Sequence, residues 1–166
     1  MKLVFPLMFN KKPMYTAEEL TREINRLNGK IQCKISLYGF EQFLNQRPVL
    51  ESAVINKILI ECNIKECKEL AEKYKEHSIF YTGNKEFYFI ISSDTHTGIL
   101  KDEAFKVKEE IEKDLGFNAN VNYILNKMIL MPNTYNIKTE TFVIPVYDEE
   151  LEDLDKIEEL ALNQRL

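Results

Sequence analysis

Two polar residues at the end of an apolar stretch are the first candidates for chemistry in this chain. Residues 54–62 are rich in β-branched and apolar side chains and predict a central strand, and Glu61 and Asn63 lie two positions apart at its end. Because successive side chains of a strand point to opposite faces, these two share one face. Divalent cations accept carboxylate and amide oxygens as ligands. The pair therefore predicts either a metal site with Glu61 as its ligand or the polar end of a buried strand.

A predicted hairpin with a polar turn follows along the chain. The apolar segments 78–81 and 87–92 flank the turn residues 82–85, and a glycine in such a turn is typical of a β-hairpin. Lys85 places a positive charge in the turn. The aromatic side chains of this hairpin predict either a surface on which bases stack or a core cluster; they are Tyr81, Phe87 and Tyr88.

A third polar stretch spans residues 132–139, between a predicted helix at 121–128 and a predicted strand at 141–146. Lys138 lies within it and Lys127 precedes it. Each of these lysines predicts either a contact to phosphate or a charge that serves only solubility.

In this order and spacing, the three segments resemble the three motifs of archaeo-eukaryotic primases and the related primase-polymerases. That family has a strand ending in two aspartates, a Ser-Gly hairpin turn followed by a histidine, and a Pro-Gly-Thr/Ser segment leading through Lys-Thr to a strand that ends in Pro-Val. The matching residues of the second and third segments are Thr82, Gly83, Phe87, Pro132, Thr134, Asn136, Lys138, Thr139 and Pro145. The resemblance covers residues 35–147 and implies a degenerate member of the family.

Other residues stand at several of the family's catalytic positions. Glu61 and Asn63 replace the two metal-binding aspartates, Tyr88 replaces the histidine, and Glu86 replaces a glycine that lets the backbone approach phosphate. Leu130 lies where the family has an arginine. The region where a third acid is expected holds asparagines, which are Asn118, Asn120 and Asn122.

Two-metal catalysis needs clustered carboxylates, and this sequence offers Glu61 with Glu66 nearby. The resemblance therefore implies a catalytically degenerate, replication-associated accessory or nucleic-acid-binding subunit, whose partner is DNA or a primase or other replication protein. The residues implied to bind nucleotide or nucleic acid are Thr82, Gly83, Lys85, Lys127, Asn136 and Lys138. No cofactor is predicted with the degenerate role.

Two alternatives stay open from the residues. One is an active, diverged primase or polymerase that uses Glu61 as a ligand for magnesium or manganese. The other is a protein-interaction module that does not bind nucleic acid. The resemblance requires the strand end near residue 61, the turn near 83 and the loop near 133 to meet around one cleft.

The elements that position these segments predict an α/β (α+β) fold with a mixed sheet and flanking helices, since a strand–helix–strand unit is followed by a hairpin. The predicted strands span residues 2–9, 30–37, 54–62, 78–81, 87–92 and 141–146. The predicted helices span a segment from the cap Thr16 to Gly29, then 40–44, 65–76, 101–115, 121–128 and 151–162.

Composition places the chain among ordinary globular proteins. It has 166 residues, 45% of them hydrophobic and 30% charged, with a net charge of −5. Residues 148–166 hold eight acids against two basic residues, a net −6, which leaves residues 1–147 at +1. We therefore divide the chain into a primase-like domain, 1–147, and an acidic C-terminal helix, 148–166, that either packs on the body or binds a partner.

The remaining features point to the cytoplasm. No apolar run is long enough to span a membrane, and no signal peptide is recognisable. Three cysteines, Cys33, Cys62 and Cys67, are predicted to be core thiols because an odd number argues against a disulfide framework. Asp94 and His96 are predicted to lie in a polar loop. A composition rich in Lys, Glu, Ile and Asn without Trp suggests an archaeal or viral source. The oligomeric state does not follow from the sequence.

Overall fold

The structure, a computed structural model, describes residues 1–92 and 99–165. The strands are, in chain order, β1 (Leu7–Phe9), β2 (Lys12–Met14), β3 (Lys34–Ser36), β4 (Gly39–Phe40), β5 (Phe43–Leu44), β6 (Arg47–Pro48), β7 (Ala53–Val54), β8 (Lys57–Cys62), β9 (His77–Gly83), β10 (Glu86–Ser92), β11 (Asn120–Val121), β12 (Met128–Leu130), β13 (Tyr135–Asn136), β14 (Thr141–Phe142) and β15 (Ile144–Val146). The α-helices are α1 (Ala17–Leu27), α2 (Ile64–Lys73), α3 (Leu100–Leu115) and α4 (Leu154–Leu160), and 3-10 turns span Leu50–Ser52 and Asp148–Glu152.

The central sheet has the strand order β11-β8-β10-β9-β15, and each neighbouring pair is antiparallel. β8 lies inside it, as its apolar sequence predicts. Ile58 and Ile60 face one side of this strand and Leu59 the other, and all three are fully buried. Both faces of the sheet are therefore covered at this strand.

A second sheet, with the order β12-β3-β1-β2, lies beside the first and shares its core. Ile35 of β3 pairs with Phe9 on one side and with Ile129 on the other, and all three are buried. Three short two-stranded ribbons complete the described strands, namely β4 with β7, β5 with β6, and β13 with β14.

The helices begin and end where capping residues allow it. The Thr16 hydroxyl accepts a hydrogen bond from the Glu19 amide at 3.2 Å and starts α1, as predicted. Gly29, shortly after this helix, and Gly116, at the end of α3, adopt φ values of 79° and 78°. Glycine reaches this left-handed region without steric cost, and Gly116 caps α3 in it as predicted. α1 instead ends at Asn28, whose ψ of 128° leaves the helix, and Gly29 lies in the turn that follows, closed by a hydrogen bond from the Lys30 amide to the Leu27 carbonyl.

The C-terminal segment packs on the body. It folds as a 3-10 turn followed by α4, and not as the single helix predicted for 151–162. Leu151, Ile157 and Ala161 of this segment are buried. An ion pair between Arg165 and Glu150 at 2.8 Å joins the end of this segment to its 3-10 turn.

Two predicted helices are wrong, and each was replaced by strands for a recognisable reason. The predicted helix at 40–44 is replaced by β5, which is followed directly by a tight turn. In that turn Asn45 and Gln46 take left-handed φ values of 48° and 64°, so that the chain reverses and β6 pairs with β5. In 121–128, the apolar residues at helical spacing serve two different sheets: Val121 pairs with Ile60 of the central sheet, and Met128 pairs with Ser36 of the second. The apolar residues of 121–128 are therefore spaced as in a helix, but they pack in two different sheets and form no helix.

The α+β fold class with flanking helices is confirmed. The pairings of the described strands are antiparallel throughout, so the parallel pairs of a mixed sheet do not occur among them. No helix in residues 1–92 or 99–165 is both long and apolar enough to cross a membrane. The predicted loop with Asp94 and His96 lies outside the described residues.

Lys57, the first residue of β8, carries a buried ammonium group. Its side chain is 2% exposed, and Nζ donates hydrogen bonds to the Lys2 carbonyl at 2.9 Å and the Asn56 side-chain oxygen at 3.0 Å. Neither partner carries a negative charge. Burial consequently lowers the pKa of Lys57 to about 8 from its ordinary 10.5.

This shift predicts a pH dependence of stability. Between the folded pKa near 8 and the unfolded value of 10.5, the unfolded chain binds one more proton than the folded chain, so stability rises with pH through that window. The contribution of Lys57 amounts to about 3 kcal/mol over the window. Urea unfolding of the parent and of Lys57→Met should therefore show a free-energy difference that moves in favour of the parent by that amount. A difference that stays constant with pH would show that Lys57 does not titrate as described.

Candidate functional site

A cavity of about 880 Å³ lies at one end of the central sheet, and all three segments of the sequence resemblance line it. The strand end contributes Glu61 and Asn63, the hairpin contributes its turn, and the third segment contributes Asn136 and Lys138. The full lining is Lys34, Glu61, Cys62, Asn63, Glu66, Thr82, Gly83, Asn84, Lys85, Glu86, Phe87, Tyr88, Asn120, Leu130, Asn136, Lys138 and Thr139. Parts of all three segments therefore line one cleft, but the third segment does so through Asn136, Lys138 and Thr139, and the loop near residue 133 does not line it as the resemblance requires.

Glu61 lies in the middle of a row of polar side chains that crosses three strands. It is the register partner of Tyr88 on β10 and of Asn120 on β11. The Asn120 amide donates to Oε2 of Glu61 at 3.1 Å, and Lys127 Nζ contacts Oε1 at 3.0 Å. Both carboxylate oxygens thus have partners, and the charge of Glu61 is balanced by Lys127.

Asn63 acts as the N-cap of α2. Its side-chain oxygen accepts a hydrogen bond from the Glu66 amide at 3.0 Å, and the Glu66 carboxylate accepts one from the Asn63 amide at 3.1 Å. Both side chains of this reciprocal capping box are engaged by the backbone. The Asn-x-x-Glu spacing signals such a box in the sequence, but sequence reasoning weighed Asn63 as part of a metal site or as the polar end of a strand, and not as a helix cap.

Across residues 1–92 and 99–165, no group of three or more His, Cys, Asp or Glu side chains gathers to hold a metal ion. Of the three carboxylates that line the cavity, Glu61 pairs with Lys127, Glu66 takes part in the helix cap and Glu86 is exposed at the rim. The arrangement offers a cation few free oxygen ligands.

Tyr88 connects the hairpin to the second sheet. Its hydroxyl accepts a hydrogen bond from the Leu130 amide at 3.4 Å, and the side chain is half-buried. Burial raises the pKa of Tyr88, and the negative charges of Glu61 and Glu86 raise it further. The phenol therefore stays protonated at neutral pH and presents a neutral hydrogen-bond donor to the cavity.

Cys62 also lines the cavity, at the last position of β8. Its thiol shares a hydrogen bond with Cys67, and this bond together with burial raises the pKa of Cys62. Cys33, Cys62 and Cys67 are all free and buried, which confirms the predicted core thiols. A protonated thiol of this kind is a packing group and a poor nucleophile.

The hairpin turn is built from residues in unusual backbone conformations. Asn84 and Lys85 take φ values of 52° and 63°, and Gly83 takes 104°. The buried Thr82 hydroxyl donates to the Glu86 carbonyl at 3.1 Å, which fixes the turn from inside. Thr82 therefore stabilises the hairpin, while the side chains of Lys85 and Glu86 stay exposed at the rim.

The third segment is fastened to the hairpin by Asn136. This side chain is buried, its amide donates to the Thr82 carbonyl at 2.7 Å, and its oxygen accepts from the Lys138 amide at 3.2 Å. Thr139 approaches Gly83 so closely that a Cβ on the glycine would lie 2.6 Å from the Thr139 Cβ. Asn136 thus positions the loop, and the Lys138 side chain is exposed at the cavity.

Three lysines at the cavity, Lys34, Lys85 and Lys138, are exposed and form no ion pair within the described part of the chain. They face two acids that also line it, Glu66 and Glu86. Sequence reasoning missed Lys34 because it lies on β3, outside the three segments, and reaches the cavity only through the packing of the second sheet. A third acid of the lining, Glu61, is paired with Lys127, which lies outside it. With Lys127 counted, four lysines face three glutamates, so the cleft has a local balance of +1 in a chain whose net charge is −5.

Comparison with known proteins gives one fold-level result. The sequence matches no protein-family model and no curated protein. Among solved structures, the chain is similar to the polymerase domain of Mycobacterium tuberculosis Ligase D in complex with DNA, with a TM-score of 0.56 and 13% identity. The match covers 85% of this chain and 60% of that one, so this chain spans well under two thirds of its length. At this identity the similarity concerns the fold, and it agrees with the resemblance at that level.

The close approach at Gly83 predicts an unequal cost for two glycine substitutions. Gly83→Ala adds a clash with Thr139 to the strain of a positive φ, whereas Gly116→Ala adds strain alone because no atom lies within 4 Å of its Cβ position. We expect Gly116→Ala to lower the free energy of unfolding by about 1–2 kcal/mol, and Gly83→Ala to lower it by roughly 1–3 kcal/mol more. Urea unfolding measures both losses. Equal losses would show that the turn and the third segment do not touch as described.

Proposed function

We propose that this chain is a catalytically degenerate domain with a primase-like fold that binds the phosphates of nucleic acid in the cleft, as an accessory subunit of a replication assembly. The observation that carries the proposal is the charge arrangement of the cleft. Glu61 is neutralised by Lys127, while Lys34, Lys85 and Lys138 have no anionic partner in the described chain.

The weak supply of carboxylates argues for a non-catalytic role. Two-metal nucleotidyl transfer depends on several carboxylates that hold two cations and align a triphosphate. Here Asn63 and Glu66 cap α2, and Glu61 binds Lys127 and Asn120. Each 1.4 kcal/mol of lost transition-state stabilisation slows a reaction about tenfold, so the absence of paired acids costs many orders of magnitude.

The same groups suit phosphate binding. Lys85 and Lys138 project from the two segments that Asn136 joins, and Lys34 lies across the cavity on the second sheet. A phosphodiester backbone placed among them would gain contacts with all three charges and release counterions. The neutral Tyr88 hydroxyl supplies a further donor. The acids Glu66 and Glu86 would keep the affinity moderate.

The similarity to a polymerase domain solved with DNA supports nucleic acid as the ligand class. Because Glu61 is paired with Lys127 and Glu66 caps α2, we propose further that an active partner supplies the chemistry. In that assembly the present domain would hold nucleic acid and dock on the partner.

A second candidate function, nucleotidyl transfer by a diverged active site, is favoured by one observation. Glu61 lies on the cavity wall beside Tyr88, and its counter-ion Lys127 is a flexible side chain that could move aside. In this case Glu61 would be the ligand for magnesium or manganese.

Binding should depend on salt and on the rim lysines. Fluorescence anisotropy with labelled single-stranded DNA should show an affinity that falls with salt, with a log–log slope of about −2 for three phosphate contacts. The double variant Lys85→Ala/Lys138→Ala removes two of the three contacts and should lower the magnitude of that slope by about 1.4. Lys11→Ala, an exposed lysine outside the cavity, is the matched control and should bind as the parent does. Absence of binding at low salt would favour the protein-interaction alternative.

The catalytic alternative has its own assay. Incubation with labelled nucleotides, a primed or unprimed template, and magnesium or manganese should yield no extension product above background. Extension that disappears in Glu61→Ala but persists in Lys11→Ala would instead establish a working transferase and refute the degenerate role. Glu61→Gln, which keeps the shape of the side chain, guards against loss of activity through misfolding.

A further inference from the structure

A second concave surface, which we call the α3 groove, lies between α3 and residues 118–123. It encloses about 580 Å³, and one wall is formed by Lys101, Phe105 and Lys108 of the helix. Spacings of four and three residues place these side chains on one face of α3. Tyr123 belongs to the opposite wall.

Two aromatic rings of this groove are unusually exposed. Phe105 and Tyr123 each have 61% of their surface open to solvent. Phe105 is exposed although its neighbours on the helix, Ala104 and Val107, are buried. Large apolar side chains that gather on an exposed concave surface are typical of an interaction site.

The groove is also positively charged. Its lining includes Lys101, Lys106 and Lys108 against a single acid, Asp102. Lys106 contacts Glu103 at 3.5 Å, whereas Lys101 and Lys108 form no ion pair within residues 1–92 and 99–165. An excess of free positive charge in an acidic chain is complementary to a polyanion.

The groove continues into the cleft through Asn120. This residue lines both concavities, and its side chain holds the Glu61 carboxylate at the floor of the cleft. β11, to which Asn120 belongs, is the edge strand of the central sheet on this side. A chain that leaves the cleft across this edge therefore enters the groove directly.

We infer that the α3 groove is a base-stacking site for single-stranded nucleic acid whose backbone continues into the cleft. This inference rests on the proposed function. Unpaired bases stack on Phe105 and Tyr123, and Lys101 and Lys108 contact the phosphates between them. Interleaved aromatic and basic side chains are the arrangement by which proteins bind single strands with little sequence preference. Duplex DNA is excluded from this mode because its bases are already stacked.

The test compares a long and a short probe. A labelled single strand of about 12 nucleotides can occupy cleft and groove together, whereas a dinucleotide fills the cleft alone. Phe105→Ala and Tyr123→Ala should each weaken binding of the long strand roughly 5- to 100-fold and leave dinucleotide binding unchanged. Lys138→Ala should weaken both probes.

Matched controls exist on the same molecule. Lys113, an exposed lysine of α3 outside the groove, controls for Lys101→Ala and Lys108→Ala, and Tyr15, which is 54% exposed elsewhere, controls for the aromatic changes. Lys113→Ala and Tyr15→Ala should bind both probes as the parent does. Lys108 is half-buried and the other substituted side chains are exposed, and circular dichroism checks that each variant folds.

A direct readout comes from Phe105→Trp. The chain contains no tryptophan, so this variant carries a single indole in the groove. The long strand should quench its emission with the affinity measured by anisotropy, and the dinucleotide should not.

Full affinity of Phe105→Ala for the long strand, together with weakened binding by Lys138→Ala, would refute base stacking in the α3 groove and leave the proposed function standing. No binding of either probe by the parent would overturn both, and quenching by an acidic peptide alone would make the groove a protein-docking surface.

Discussion

The hydrogen bond from the buried Asn136 amide to the Thr82 carbonyl joins the two parts of the chain that form the cleft. At 2.7 Å it fastens the third segment to the hairpin, and beside it Thr139 packs against a glycine that has no room for a side chain. A buried amide left without partners costs free energy, so the loop has one favourable position. Lys85 and Lys138 are held at the same rim as a result, and the cleft is a consequence of this junction.

The electrostatics of the cleft follow from how few carboxylates are left free. Glu61 is held by Lys127 and Asn120, and Glu66 is held in the helix cap. These interactions stabilise the fold at the place where a catalytic site would keep its acids free for cations. The charged side chains of the cleft that form no ion pair within the described residues are Lys34, Lys85, Lys138, Glu66 and Glu86, and the neutral Asn120 lines both the cleft and the α3 groove.

Local patterns predicted much of the fold because their physical causes are local. Thr16 and Gly116 mark helix ends through capping geometry, and the β9–β10 hairpin follows from its turn. The failures arose where neighbours along the chain have different partners in space. Val121 and Met128 belong to two different sheets, and no pattern in the local sequence predicts that they separate. Lys34 likewise lies at the cleft only because the second sheet packs there, which no local pattern indicates. The cap at Asn63, in contrast, could have been predicted from the Asn-x-x-Glu spacing.

The capping box at Asn63 separates the stability of the domain from the charge of its cleft. Asparagine and aspartate cap helices about equally well, and an aspartate would also be favoured by the dipole at the start of α2. Exchange between the two is therefore close to neutral for folding, although it changes the charge at the strand end by one unit.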